Sequence, residues 1–242
     1  MSIFAIGDLH LSTNLNTNKS MEKFGRRWLG YTEKLRRNWE AVVSQEDTVV
    51  IPGDISWAMN FEEAKDDFRF LNDELNGTKY ILKGNHDYWW NTMNKMQKFL
   101  QENGFDKIKI VHNNAFQVED FVIAGTRGWF YDDYAGDIHK VILREAGRLR
   151  MSLNEAQKLQ GEIIAFLHYP PINDNQRCDE ILDVLTQFPV KQCFFGHLHG
   201  FIAPGCSKIE SDGIKFNLVS ADFLRFTPRL VTKSVDDEGL KP

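Results

Sequence analysis

Six short apolar runs punctuate the chain, and each gives way to polar residues: IFAIGDLH from Ile3, DTVVIPGDIS from Asp47, KYILKGNHD from Lys79, FVIAGTRGW from Phe121, EIIAFLHYPP from Glu162 and KQCFFGHLHG from Lys191. Continuous apolar runs of this length predict strands buried on both faces, whereas strict alternation would mark a half-exposed sheet. Between the runs the period changes. Asn60 and Glu63 have capping-box spacing, and Phe61, Ala64, Phe68, Leu71 and Leu75 recur on one helical face that stops near Gly77. Ser152 and Glu155 repeat the capping spacing and predict another helix start, the segment 137–150 with Lys140, Arg144, Arg148 and Arg150 reads as a solvated helix face, and DEILDVLTQF predicts a third helix. Strands alternating with helices define an α/β fold.

The polar residues that follow the runs are not a random set. Five of the seven histidines, His10, His86, His168, His197 and His199, stand at predicted strand ends, with the carboxylates Asp8, Asp54 and Asp87 and the amide Asn85. Singly, each is also an ordinary turn or capping residue. Jointly they are the donors of a nitrogen and oxygen metal site, because neutral imidazoles and carboxylates are what divalent cations bind. Glycines flank them at Gly7, Gly53, Gly84, Gly196 and Gly200, where a turning backbone allows several strand ends to converge.

Composition narrows the function classes. A chain of 242 residues can bury a large core, and one globular domain over residues 1–242 is expected. Its net charge of −5 argues against a protein that coats duplex nucleic acid, since such binding rests on neutralising phosphates. A local basic insert, residues 11–39, runs the other way: Lys19, Lys23, Arg26, Arg27, Lys34, Arg36 and Arg37 face only Glu22 and Glu33. It reads either as a field that steers an anionic substrate or as an exposed helix face anchored by Trp28 and Trp39. The odd set Cys178, Cys193 and Cys206 contains no C-x-x-C pair and suits a reducing compartment. The first ten residues leave no room for a signal peptide, and no run reaches the ~18 apolar residues of a membrane span, so a cytoplasmic location and no membrane partner are expected.

In order along the chain the site motifs are D-x-H (Asp8, His10), G-D (Gly53, Asp54), G-N-H-D (Gly84 to Asp87), a lone His168 and G-H-x-H (Gly196 to His199). This series resembles the calcineurin-like metallophosphoesterases and spans most of the chain. The resemblance implies a four-layer αββα sandwich, two mixed β-sheets packed face to face with helices outside. It implies two divalent ions (Mn, Fe, Zn or similar), one held by Asp8, His10, Asp54 and His199, the other by Asp54, Asn85, His168 and His197, with Asp54 bridging. The implied reaction is hydrolysis of a phosphate mono- or diester by a metal-bridging hydroxide. His86 would protonate the leaving oxygen and Asp87 would orient His86. Arg127 could bind the phosphate or form an ion pair within the fold. Tyr88, Trp89 and Trp90 could stack on a planar leaving group or pack into the core. A nuclease acting on single-stranded or short nucleic acid is the alternative that the basic insert raises. A non-catalytic scaffold of the same fold would be expected to have lost ligands, and none is missing.

Overall fold

The computed structural model describes residues 1–14, 19–129, 137–173, 176–200 and 207–233. All six apolar runs form strands. In the first sheet β1 (Ser2–Ala5), β2 (Thr48–Pro52), β3 (Thr78–Leu82) and β4 (Ile108–Ile110) run parallel, and β11 (Arg229–Lys233) joins β1 antiparallel. The second sheet has the order β5 (Ala115–Val118), β6 (Phe121–Thr126), β7 (Glu162–Leu167), β8 (Gln192–Phe195), β10 (Ile214–Leu218) and β9 (Lys208–Ser211). Its inner four strands are parallel and its two edge strands antiparallel, so both sheets are mixed.

The alternation along each strand explains why the runs are apolar throughout. Ile3, Ala5, Val50 and Leu82 of the first sheet meet Ile123, Ile164, Phe166 and Phe194 of the second in a shared inner layer. Their neighbours Phe4, Val49, Ile51 and Ile81 point the other way, into a core closed by α1 (Tyr31–Glu40), α2 (Phe61–Arg69) and α3 (Met93–Asn103). On the far side Val122, Ile163, Ala165 and Phe195 pack under α4 (Ile138–Ala156) and α5 (Asp179–Thr186). Helices, two sheets and helices make the four expected layers.

The cap of α2 is as the spacing predicts. The Asn60 side chain accepts the Glu63 N–H at 3.0 Å, and the Glu63 carboxylate accepts the Met59 N–H at 2.8 Å. After Arg69 the helix widens into a π turn, Phe70–Glu74, which carries the apolar stripe on to Leu71 and Leu75.

Ser152 departs from its predicted role. It lies inside α4, fully buried, where its hydroxyl accepts the Gly125 N–H at 2.9 Å and donates to the Asn114 carbonyl at 2.7 Å. The hydroxyl ties the helix to the sheet, and Asp137 caps the helix instead, its side chain accepting from the Lys140 N–H.

Within the basic insert α1 carries Lys34, Arg36 and Arg37. Trp28 and Trp39 are buried, and Arg36 pairs with Glu33 and Glu40 on the outer face of α1. Cys178 and Cys193 are buried free thiols, while Cys206 lies outside the described residues. No described helix is long and apolar enough to cross a membrane.

Candidate metal centre

The candidate ligands leave the carboxyl ends of their strands: Asp8 and His10 after β1, Asp54 after β2, Asn85 after β3, His168 after β7, and His197 and His199 after β8. Four of them have left-handed backbones, with φ of 58° at Asp8, 46° at His10, 51° at Asp54 and 71° at His197. Such conformations cost on the order of 1–3 kcal/mol each and persist only where the surroundings over-determine them. Here a backbone lattice does so: the Asp8 N–H donates to the Gly53 carbonyl and the His10 N–H to the Asp54 carbonyl, both at 2.9 Å, and the Gly7 N–H donates to Val219 at 2.7 Å. Glycine is required where the loops touch. A Cβ on Gly84 would overlap the Asp54 carboxylate, and one on Gly196 would overlap that of Asp8.

All seven candidate ligands converge, and they do so around two points. At the first, His10 Nε2 faces His199 Nε2 at 3.0 Å, Asp8 Oδ1 lies 3.6 Å from His199 Nε2, and Asp54 Oδ2 lies 3.6 Å from His10 Nε2. At the second, the Asn85 Oδ1 stands 2.6 Å from His168 Nε2 and 3.0 Å from His197 Nδ1, with Asp54 Oδ1 3.6 Å from His168 Nε2. Asp54 therefore turns one oxygen to each point. The groups Asp8, His10, His199 and Asp8, Asp54, His168 each bring their ligand atoms within 4.8 Å of one another.

The donor set fits cations. Burial pushes the imidazoles of His10, His168 and His197 down to about 3, so at neutral pH they are uncharged and keep a lone pair. His168 Nδ1 faces the Pro52 carbonyl at 3.0 Å and must carry the proton there, which leaves Nε2 as a bare lone pair aimed at the Asn85 oxygen, another acceptor. Two lone pairs at that separation repel unless a cation accepts both. Burial also raises the Asp8 carboxyl to about 7, against the attraction of His199 and with the repulsion of Asp54; a bound divalent ion would reverse that balance. His199 moves upward: burial alone would lower it, but the hydrogen bond with Asp222 and the charge of Asp8 outweigh that cost.

Two residues outside the predicted set complete the site. Asp222 accepts from His199 Nδ1 at 3.1 Å, from the Gly200 N–H at 2.9 Å and from Arg27 at 3.0 Å, which fixes the ring with Nε2 turned inward. It follows β10 in FNLVSAD, the same strand-then-polar pattern that marks the other ligands. Trp57 stacks on His10 with ring centroids 4.8 Å apart and leans on His86 at 4.5 Å. No local pattern signals it.

The block after Asn85 is arranged differently from the sequence expectation. Asp87 does not hold His86. Its carboxylate accepts the backbone N–H groups of Asp54, Ile55 and Gly84 at 2.7–2.9 Å and the Trp89 indole N–H at 3.1 Å, which pins the Asp54 loop to the Gly84 loop. His86 instead has the Tyr88 hydroxyl 3.2 Å from Nδ1, and its pKa is lowered, by burial first. Trp89 is buried against Phe68, Trp90 packs partly buried on the same core, and Tyr88 alone of the three is exposed. Arg127 has the ion pair. Its guanidinium donates through Nη2 to buried Glu145 at 3.1 Å and lies 4.5 Å over the Trp129 ring. Its carbonyl serves the site, accepting the His168 N–H.

The sandwich thus brings a largely buried set of nitrogen and oxygen donors together at its strand ends. The family model for the calcineurin-like phosphoesterases matches residues 1–201, and the chain belongs to that family. Among solved structures, a protein of unknown function from Aquifex aeolicus is 17% identical, with 95% of each chain covered and a TM-score of 0.50. A second structure is 12% identical over 89% of each chain, with a TM-score of 0.56. A 5'-nucleotidase from Candida albicans is 16% identical, covering 81% of this chain and 41% of its own, with a TM-score of 0.41. No curated protein matches the chain.

Proposed function

We propose that this protein hydrolyses a phosphate mono- or diester at a centre of two divalent cations. Membership of the phosphoesterase family supports the reaction class. The observation that carries the two-cation reading is Asp54, whose Oδ2 and Oδ1 lie 3.6 Å from His10 Nε2 and His168 Nε2, each in a different donor set. Asp8, His10, Asp54 and His199 would hold one ion, and Asp54, Asn85, His168 and His197 the other. Bound there, the ions would lower the pKa of an attacking water and offset charge on the phosphoryl oxygens. Asn85 contributes an oxygen without a charge, which limits repulsion of an anionic substrate.

His86 is the residue assigned to the leaving oxygen. With the Tyr88 hydroxyl on Nδ1, Nε2 is the atom that delivers the proton. Asp87 acts as a positioning residue, through the loops that carry Asp54 and Asn85. Two buried free thiols support the cytoplasmic reading.

Elemental analysis of gently purified protein tests the proposal. Up to two equivalents of transition metal are expected, Asp54→Asn should lose at least one, and chelation should abolish turnover until Mn, Fe or Zn is restored. A protein that stays metal-free and inactive with all three ions overturns it.

A further inference from the structure

A groove of about 450 Å³ opens directly onto the candidate centre. His10, His86 and His199 form its inner end, and its walls are Met21, Phe24, Trp28 and Trp57. A second hollow of about 330 Å³ shares Phe24 and Trp57 and continues outward to Lys19 and Lys23. Three of the four walls are supplied by the basic insert. Met21 and Trp28 are buried at 5% and 3% exposure, whereas Phe24 stands 70% exposed on the rim. Phe24 lines both hollows, so its exposed ring offers an aromatic face where they meet. Trp57 presents the facing wall, held in orientation by its stack on His10.

We propose that the leaving group of the substrate carries a flat aromatic ring, seated between Phe24 and Trp57 while its ester oxygen faces His86. This rests on the phosphoesterase reading of the centre and adds the class of substrate. The groove lies on the His86 side, where the leaving group must depart, and its walls are aromatic faces. The lysines decide between a flat ring and an alkyl chain of equal size. Lys19 Nζ lies 5.4 Å from the Trp57 ring centroid and 5.2 Å from that of Tyr88. A hydrocarbon chain filling the outer hollow would strip water from that ammonium without replacing it. A ring with polar or anionic atoms at its outer edge stacks on the tryptophan and turns that edge to Lys19 and Lys23.

Binding of stable analogues to the metal-loaded full chain tests the slot without turnover. By tryptophan fluorescence or calorimetry, phenylphosphonate should bind about 10-fold or more tightly than methylphosphonate, the span that ring stacking supplies. Phe24→Ser, on an exposed side chain, should bring that ratio close to one, while Leu143→Ser, an exposed apolar position on α4, should leave it in place. AMP against ribose 5-phosphate forms a second pair, and the pair with the larger gap reports how far from phosphorus the ring sits. Equal affinities within both pairs, or a preference that Phe24→Ser leaves intact, overturn the slot. The two readings fail separately: ester hydrolysis without aryl preference removes the slot alone, and aryl preference without hydrolysis of any ester under any metal removes the phosphoesterase reading alone.

Discussion

At His199 the two ring nitrogens divide the work. Nε2 looks into the centre, and Nδ1 is fixed by Asp222, which is itself tied to Arg27 and the Gly200 N–H. Asp222→Asn removes the charge that favours this tautomer and keeps the shape. Metal affinity should fall about 10- to 100-fold in a competition titration while the melting temperature of the chelated protein changes little. Unchanged affinity would make Asp222 a partner of Arg27 alone. The candidate ligands were legible because each is a polar residue that a buried strand cannot hold, and histidine recurs among them. Asp222 obeys the same rule but carries no histidine or glycine beside it. Asp87 does not pair with His86 for a geometric reason: adjacent side chains on an extended backbone point apart, so neighbours in sequence are poor candidates for contact. Trp57 meets His86 only through the tertiary fold, which no spacing encodes.

The element scale holds a different titrating group. Lys79, second residue of β3, is fully buried, and its Nζ donates to the carbonyls of Leu75 at 2.8 Å and Gly77 at 2.7 Å, just past the π turn that ends α2. It serves as a C-terminal cap that reaches back from the following strand. Burial lowers its pKa from 10.5 to about 7. Between those values the unfolded chain keeps a proton that the folded chain has released, so stability rises with pH across the window. The burden on the folded state is fully present below about 7 and gone above 10.5. Urea titrations from pH 7 to 10 should therefore show a steeper rise in unfolding free energy for the wild type than for Lys79→Met. Parallel curves would mean that the two carbonyls keep the ammonium charged. In sequence Lys79 simply opens a strand; only the turn at Gly77, with φ of 80°, brings the helix end within its reach.

For the whole molecule, the inner layer shared by the two sheets leads us to propose that residues 1–242 act as one cooperative domain. Calorimetry should give a single transition with or without metal. Saturating cation at 100 times its dissociation constant adds about 2.7 kcal/mol, which for a chain of this size raises the midpoint by roughly 5–10 °C. Two endotherms, one per sheet, would contradict the proposal. The order of strands also bears on synthesis. β1 is made before β2 and well before β11, yet it lies between them, and the Gly7 N–H waits for the carbonyl of Val219. Asp8 likewise accepts the N–H of His197. A nascent chain on the ribosome can pair β1 with β2 early but must hold this edge open until β11 emerges. During that interval the loop that carries Asp8 and His10 lacks its later partners, so an ion that needs His197 or His199 as a ligand would bind only after β8 has emerged.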